Sequence, residues 1–239
     1  MGGRRPVKDA PGILMIGPHI KAVFFDAVGT VLFPHPGVSQ TYARLANQHG
    51  ADLTEDVVRG RLMPAFVKQE KIDGKNGWTT SEDRERRRWQ DIMAEVMPEA
   101  DVAACFRDLW DHYTTPAAWR VPAEVGPLLT ALAGRGLVLG LASNFDARLR
   151  PLAAAFPELG PVMDRLVISS LVGHRKPGRP FYAEVVRQAS VEPGEILYVG
   201  DDRRNDYDGA LEAGMEAVLL APDGAEPGIR SIRSLTELR

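Results

Sequence analysis

Four short stretches of this 239-residue chain bring together side chains that could do chemistry. In "VFFDAVGT" (23–30) an apolar run ends on Asp26, with Thr30 shortly after. "GLASN" ends a second apolar run with Ser143 and Asn144, and "YVGDDRRND" ends a third with Asp201 and Asp202, followed by Asp206. "GHRKPGRP" supplies Lys176 beside a proline that restricts the local backbone. Asp26 and Asp201 could share one hard divalent cation, which prefers oxygen ligands and leaves waters and a phosphate oxygen to fill its shell. Asp202 and Asp206 would serve as further ligands or as acceptors around them. Without a cation these carboxylates would repel one another and any anionic substrate. Lys176 would offset the charge of Asp26 and of a bound anion. Ser143 and the backbone N–H groups after it, at a helix start, form a site for a phosphate oxygen. Taken singly, each residue reads as an ordinary cap or turn. Together they point to a site.

The elements that must position these residues follow from periodicity. Apolar runs at 20–26, 137–143, 164–170, 195–201 and 216–221 read as strands. Helical patterns at 146–156, 179–190 and 205–214 separate the later ones. Near-continuous apolar strands alternating with helices indicate a parallel sheet covered on both faces, a doubly wound Rossmann-like α/β body. Ligands of such sheets bind at the carboxyl ends of the strands, where the strand order reverses. Residues 36–113 have another rhythm, with helical patterns at 39–50, 54–72, 80–97 and 100–114 and no strand. An all-helical insertion after the first strand is the expected cap. The expected organisation is a tail over 1–18, an α/β core over 19–35 and 114–239, and a helical cap over 36–113.

Composition narrows the class. Hydrophobic residues make up 44% and charged residues 26%, with 29 basic against 32 acidic side chains and a net charge of −3. These are the values of an ordinary globular protein, and they give no electrostatic reason to expect a nucleic-acid partner. No apolar stretch approaches the ~20 residues of a membrane span. The apolar patch at 13–16 is too short for a signal peptide and is cut by Gly17 and Pro18. The single cysteine, Cys105, cannot close an internal disulfide, which fits a reducing cytoplasm, and its helical context reads as packing.

These motifs resemble those of the haloacid dehalogenase superfamily, in the subfamily with a helical cap after the first motif. "FFDAVGT" is similar to motif one, "LASN" to motif two, "HRKP" to motif three and "VGDDRRNDYDGA" to motif four. The resemblance spans residues 20 to about 222 and lies in a branch with a D-x-V-G-T first motif. It implies that Asp26 is a nucleophile forming a covalent aspartyl intermediate. It also implies Mg²⁺ held by Asp26, the Val28 carbonyl, Asp201, Asp202 and Asp206. Thr30, Ser143, Asn144 and Lys176 would then face the phosphoryl group, with Ser143 and Lys176 acting in catalysis.

The family's phosphatases carry a second aspartate two residues after the first, where this chain has Val28. Three catalytic readings stay open. The leading one is a Mg²⁺-dependent phosphohydrolase acting on a small phosphorylated metabolite, weakened by the ~10²–10⁴-fold that general acid–base catalysis typically supplies. His35 is a candidate replacement donor. A dehalogenase needs no second carboxylate, and Tyr182 would suit one, but its metal-free members do not keep the acids of motif four. A phosphonate hydrolase would use a cap lysine, with Lys68, Lys71 and Lys75 available. The alternative outside catalysis is a binding protein that has kept the site. The connections 33–37 and 114–122 are the expected hinges. The arginine run Arg84 and Arg86 to Arg88 circles its helix and reads as solvated surface with one arginine at most facing the cleft.

Overall fold

The computed structural model describes residues 12–239. Chain order runs β1 (Ala22–Phe25), β2 (Phe33–Pro34), then four helices: α1 (Val38–Gln48), α2 (Glu55–Lys75), α3 (Glu82–Val96) and α4 (Val102–His112). It continues through β3 (Trp119–Arg120), α5 (Val125–Gly134), β4 (Val138–Ser143), α6 (Leu149–Ala154), β5 (Leu166–Ile168), α7 (Ser169–Val172) and α8 (Arg179–Ala189). Last come β6 (Ile196–Gly200), a π-helical turn over Arg203–Asp208, α9 (Gly209–Glu212), β7 (Glu216–Leu220) and β8 (Ser231–Ile232).

Six strands form one sheet in the order β5-β4-β1-β6-β7-β8, and every pairing in it is parallel. The strands read as continuous apolar runs because both faces are covered. Along β1, Val23 and Phe25 join one apolar layer with Leu139, Leu141, Leu197 and Val199. Ala22 and Phe24 join the opposite layer with Ala142, Phe181 and Tyr198, the alternation a strand imposes. The order reverses at β1, with β4 on one side and β6 on the other, so the carboxyl ends of these three strands face a common crevice. The expected doubly wound α/β fold is the one observed, with strand ends shifted by one or two residues.

Helices α1 to α4 build a third apolar cluster of their own, including Tyr42, Leu62, Ile92, Met97 and Leu109. Capping side chains start three of them: Thr54, Ser81 and Asp101 each accept from a backbone N–H of the first turn. Cys105 is fully buried in this cluster, as its helical context suggests. The two connections to the sheet are not bare loops. β2 and β3 pair antiparallel, Phe33 opposite Arg120, so the way out and the way back are hydrogen-bonded to each other. This small ribbon lies where the sequence suggests hinges. Of the tail, residues 1–11 lie outside the described residues, while Leu14 bridges in parallel to Leu238 and Ile16 donates to the Arg239 carbonyl at 2.6 Å.

The arginine run departs from expectation. Arg86 and Arg87 are exposed, with Arg86 stacked 4.9 Å over both Phe106 and Trp110, but Arg88 is buried and Arg84 half-buried. Both reach the fully buried Asp73 of α2: Arg84 Nη2 donates to Oδ1 at 2.7 Å and Arg88 Nε to Oδ2 at 3.1 Å. Arg175, next to Lys176, lies 3.6 Å from the same carboxylate and donates to Glu85, whose Oε1 also accepts from Thr80 at 2.7 Å. A run that looks solvated by spacing thus supplies the ion cluster binding the helices to the sheet. Burial pushes Arg88 down to about 10, with the neighbouring Arg175 acting in the same direction. Removing the central carboxylate leaves Arg88 buried without its acid and Arg84 half-buried with only Gln69. Asp73→Ala is expected to destabilise the fold by about 3–5 kcal/mol in denaturant titration, and adding Arg88→Leu to recover part of that loss.

Candidate active site

Asp26 follows β1 and is 6% exposed, its backbone N–H tied to the Val199 carbonyl of β6 at 2.8 Å. Lys176 arrives from the loop before α8 and is 3% exposed. Its Nζ lies 2.6 Å from Asp26 Oδ1 and 2.6 Å from Asp206 Oδ1, with the Tyr198 hydroxyl at 3.1 Å and the Ala142 carbonyl at 3.3 Å. Burial alone would push this ammonium down, but Asp206 and Asp26 reverse the effect and hold it above its ordinary range. Asp26 is pushed up by burial, an effect that Lys176 opposes and Asp201 reinforces.

Asp26, Asp201 and Asp206 each offer a carboxylate oxygen, and these atoms all lie within 4.8 Å of one another. Burial and the charge of Asp206 push Asp201 up to about 6. Burial, opposed by Lys176, leaves Asp206 at about 7, with Asp26 also raising it. Two glycines let these acids approach. A Cβ on Gly29, whose φ is +97°, would fall 2.3 Å from Asp201 Oδ2, and one on Gly200 would fall 2.3 Å from Asp206 Cγ. Three oxygens converging with excess negative charge suit a hard divalent cation.

The other sequence candidates take more specific positions. Asp202 does not join the cluster: its carboxylate starts the π-helical turn, accepting from the N–H groups of Arg204 at 2.9 Å and Asn205 at 2.7 Å. Its own N–H donates to Asp206 Oδ2 at 2.9 Å, so it orients an acid instead of adding one. Thr30 Oγ1 donates to Asp201 Oδ1 at 3.3 Å. Asn144 grips the main chain of Lys176, accepting its N–H at 2.8 Å and donating to its carbonyl at 3.1 Å. Ser143 is buried at the end of β4 and lines the same cavity as Asp26, Val28, Lys176, Asp201 and Asp206. His35 is exposed and outside that lining, as are Lys68, Lys71 and Lys75. Tyr182 is buried, stacks with Phe181 and Tyr198 and donates to the Asn205 carbonyl, a packing position. Sequence reading missed Tyr198, hidden inside an apolar strand, whose hydroxyl donates to the Ala142 carbonyl at 2.7 Å beneath Lys176.

The cavity has a volume of about 550 Å³ and lies between α1–α4 and the sheet. Contacts join the two sides around it. Glu70 of α2 accepts from Asn205 Nδ2 at 3.0 Å, Glu82 accepts the Ala147 N–H at 2.9 Å, and Arg175 N–H donates to the Trp78 carbonyl at 2.8 Å.

A parallel sheet with a strand-end aspartate, a buried lysine and an acid cluster at its switch point is the layout of an α/β protein that binds its ligand at the carboxyl ends of the strands. The chain belongs to the haloacid dehalogenase-like hydrolases, a family that matches residues 20–214. The mouse haloacid dehalogenase-like hydrolase domain-containing protein 3 is 26% identical over 220 residues, covering 90% of this chain and 86% of its own. The glyceraldehyde 3-phosphate phosphatase of Methanopyrus kandleri is 28% identical over 204 residues, 84% of each chain. Among solved structures, a phosphatase of the family from Thermococcus onnurineus superposes with a TM-score of 0.65 at 25% identity, covering 91% of this chain and 95% of its own.

The raised carboxyls carry a signed consequence. In protein stripped of divalent cations, Asp206 and Asp201 keep protons to about 7 and about 6, whereas the unfolded chain releases them near 3.8. The folded state therefore binds more protons over that interval, and this contribution to stability falls as pH rises through it. Melting temperatures of the chelated protein, measured from ~pH 5 to ~pH 7, are expected to fall further in wild type than in Asp206→Asn. An identical slope in the two proteins would contradict the assignment.

Proposed function

We propose that this chain is a Mg²⁺-dependent phosphohydrolase that takes a phosphoryl group onto Asp26. The observation that carries the reading is the convergence of Asp26, Asp201 and Asp206 within one cavity, with Lys176 bonded to Asp26 and Asp206. Asp26, Asp201 and Asp206 would hold the ion, which would neutralise the carboxylates and polarise the phosphoryl oxygens. The Val28 carbonyl and Asp202 are retained from the family resemblance as a ligand and a nearby acceptor. Lys176 opposes the upward push of burial on Asp26 and so favours its ionised, nucleophilic form. Asn144 fixes the Lys176 backbone and Thr30 fixes Asp201, so both act by positioning. Ser143 and the Asn144 N–H would receive the phosphoryl oxygens. The expected helix start lies further on, at Leu149, and the N–H groups of Phe145, Ala147 and Arg148 are already bonded to Ser169, Glu82 and Asp146.

In the first step an Asp26 carboxylate oxygen bonds to phosphorus, and the bond to the leaving oxygen breaks with its electron pair on that oxygen. Water then attacks the phosphorus of the aspartyl phosphate. Inorganic phosphate departs and Asp26 is restored. Residues 36–113 act as the cap that excludes water during this sequence. The phosphatase names of the Methanopyrus and Thermococcus relatives support phosphoryl chemistry. Dehalogenation gives no reason for three converging acids, and the solvated Lys68, Lys71 and Lys75 weaken the phosphonate reading.

Val28 cannot pass a proton to the leaving oxygen. With Mg²⁺, wild type is expected to hydrolyse acetyl phosphate, whose leaving carboxylate needs no proton, and Asp26→Asn to be inactive. Val28→Asp is expected to raise turnover of alkyl monoesters by up to about 10²–10⁴-fold, and that of p-nitrophenyl phosphate, whose phenolate leaves without a proton, far less. A wild type inert towards every phosphate, and still inert as Val28→Asp, would sink the reading and favour a binding protein.

A further inference from the structure

The cavity is far larger than a phosphoryl group and one ion require, and its outer walls are apolar. Tyr42, Leu62, Phe66, Met93, Trp110 and Phe145 face it from α1, α2, α3, α4 and the loop after β4. A volume of about 550 Å³ falls within the range of pockets that enclose a whole organic ligand.

Every cationic side chain in the lining already has a carboxylate partner. Arg59 pairs with Glu55 at 2.6 Å, Arg148 with Asp146 at 2.7 Å, Arg88 with Asp73 at 3.1 Å, Arg175 with Glu85, and Lys176 with Asp26 and Asp206. Arg148 also lies over Trp110, its Cζ 3.3 Å from the ring centroid, so its charge is already engaged twice. A second phosphate or carboxylate on the substrate would find no unpaired cation among these residues. A polyol would meet few hydrogen-bonding groups in the lining, Ser39, Glu70 and Asn205 among them, and would shed most of its water against leucine, phenylalanine and tryptophan. An apolar body loses nothing there and gains by leaving water.

The leaving group is constrained separately. With Val28 offering no proton, the departing oxygen must be stable as it leaves, as a phenolate or a carboxylate is. We propose that the substrate is an aryl or acyl phosphate whose organic part is a bulky apolar group seated against the walls formed by α1 to α4; this rests on the phosphohydrolase reading. Asp26 bonds to phosphorus, and the leaving oxygen takes the P–O electron pair without a proton. Water then supplies the oxygen that restores phosphate, one of its protons staying on the phosphate and the other passing to solvent.

The test uses the full chain with Mg²⁺. Calorimetry compares methylphosphonate with 1-naphthylphosphonate, neither of which has an ester bond to hydrolyse. Initial rates compare phenyl with 1-naphthyl phosphate and acetyl with benzoyl phosphate. The naphthyl phosphonate is expected to bind at least about tenfold tighter, and the bulkier member of each ester pair to show the higher kcat/KM. Phe66→Ala should shrink the naphthyl-to-methyl ratio. So should Met63→Asp, at a lining residue that is 65% exposed and therefore replaceable without burying charge. Equal binding of the two phosphonates, or a preference for the smaller, overturns the proposal. Hydrolysis of acetyl phosphate that depends on Asp26 but shows no apolar preference removes the substrate class and leaves the hydrolytic reading standing. A strong naphthyl preference without turnover of any phosphate does the reverse.

Discussion

The ammonium of Lys176, held between Asp26 and Asp206 in a site closed to solvent, is the interaction on which the rest of the structure depends. Three carboxylates within 4.8 Å of one another, two of them buried, cannot all stay ionised without a nearby cation. Burial pushes Asp201 and Asp206 up, neighbouring acids add to it, and the one fixed positive charge of Lys176 is too little to hold three acids down. That shortfall of charge is the physical case for a divalent ion. The surroundings serve the lysine accordingly: Asn144 holds its main chain, and Tyr198 and the Ala142 carbonyl accept beneath it.

The sheet brings these groups together through topology. Asp26, Ser143 and Asp201 are far apart in sequence but end or follow β1, β4 and β6, which are neighbours in the sheet. Parallel pairing points all three carboxyl ends the same way, and the reversal of strand order at β1 opens the crevice between them. Side-chain volume then decides whether the acids can meet. At Gly29 and Gly200 any Cβ would occupy the space taken by Asp201 and Asp206.

Much of the fold is legible in the sequence because its strands are buried on both faces and its helices are amphipathic or capped, signals that a single chain displays. Phe24, Leu141 and Val199 announce strands whatever lies around them. The site is legible at the level of which strand ends carry polar groups, and less so in what each group does. Asp202 and Asp206 are equivalent on paper, both acids beyond one strand. Only the path of the π-helical turn makes one a cap and leaves the other with Lys176. Tyr198 and Val199 look alike within an apolar run, yet one hydroxyl reaches the lysine. Arg84 and Arg88 read as solvated because spacing cannot reveal that Asp73 and Arg175 lie against them. The β2–β3 ribbon is invisible for the same reason, as each strand is two residues long and is defined only by its partner. What the sequence conceals is in each case a relation between distant segments.

One such relation joins the helices to the chemistry. Arg175 and Lys176 are adjacent, yet they look in opposite directions. Arg175 reaches Glu85 and Asp73 on α3 and α2, while Lys176 reaches Asp26 and Asp206 at the strand ends. The Arg175 backbone is also bonded to Trp78, and the Thr80 N–H to Gly173. The segment that holds the lysine is thus braced by the helical unit on one side and by Asn144 on the other. If residues 36–113 open and close over the crevice, they must break or bend this bracing to do so, which moves the backbone that carries Lys176. Closure of the apolar cavity and placement of the ammonium then become one event. A substrate body that fills the space beneath the helices would favour the arrangement in which Lys176 is correctly placed, so binding remote from phosphorus would be felt at the reacting atom.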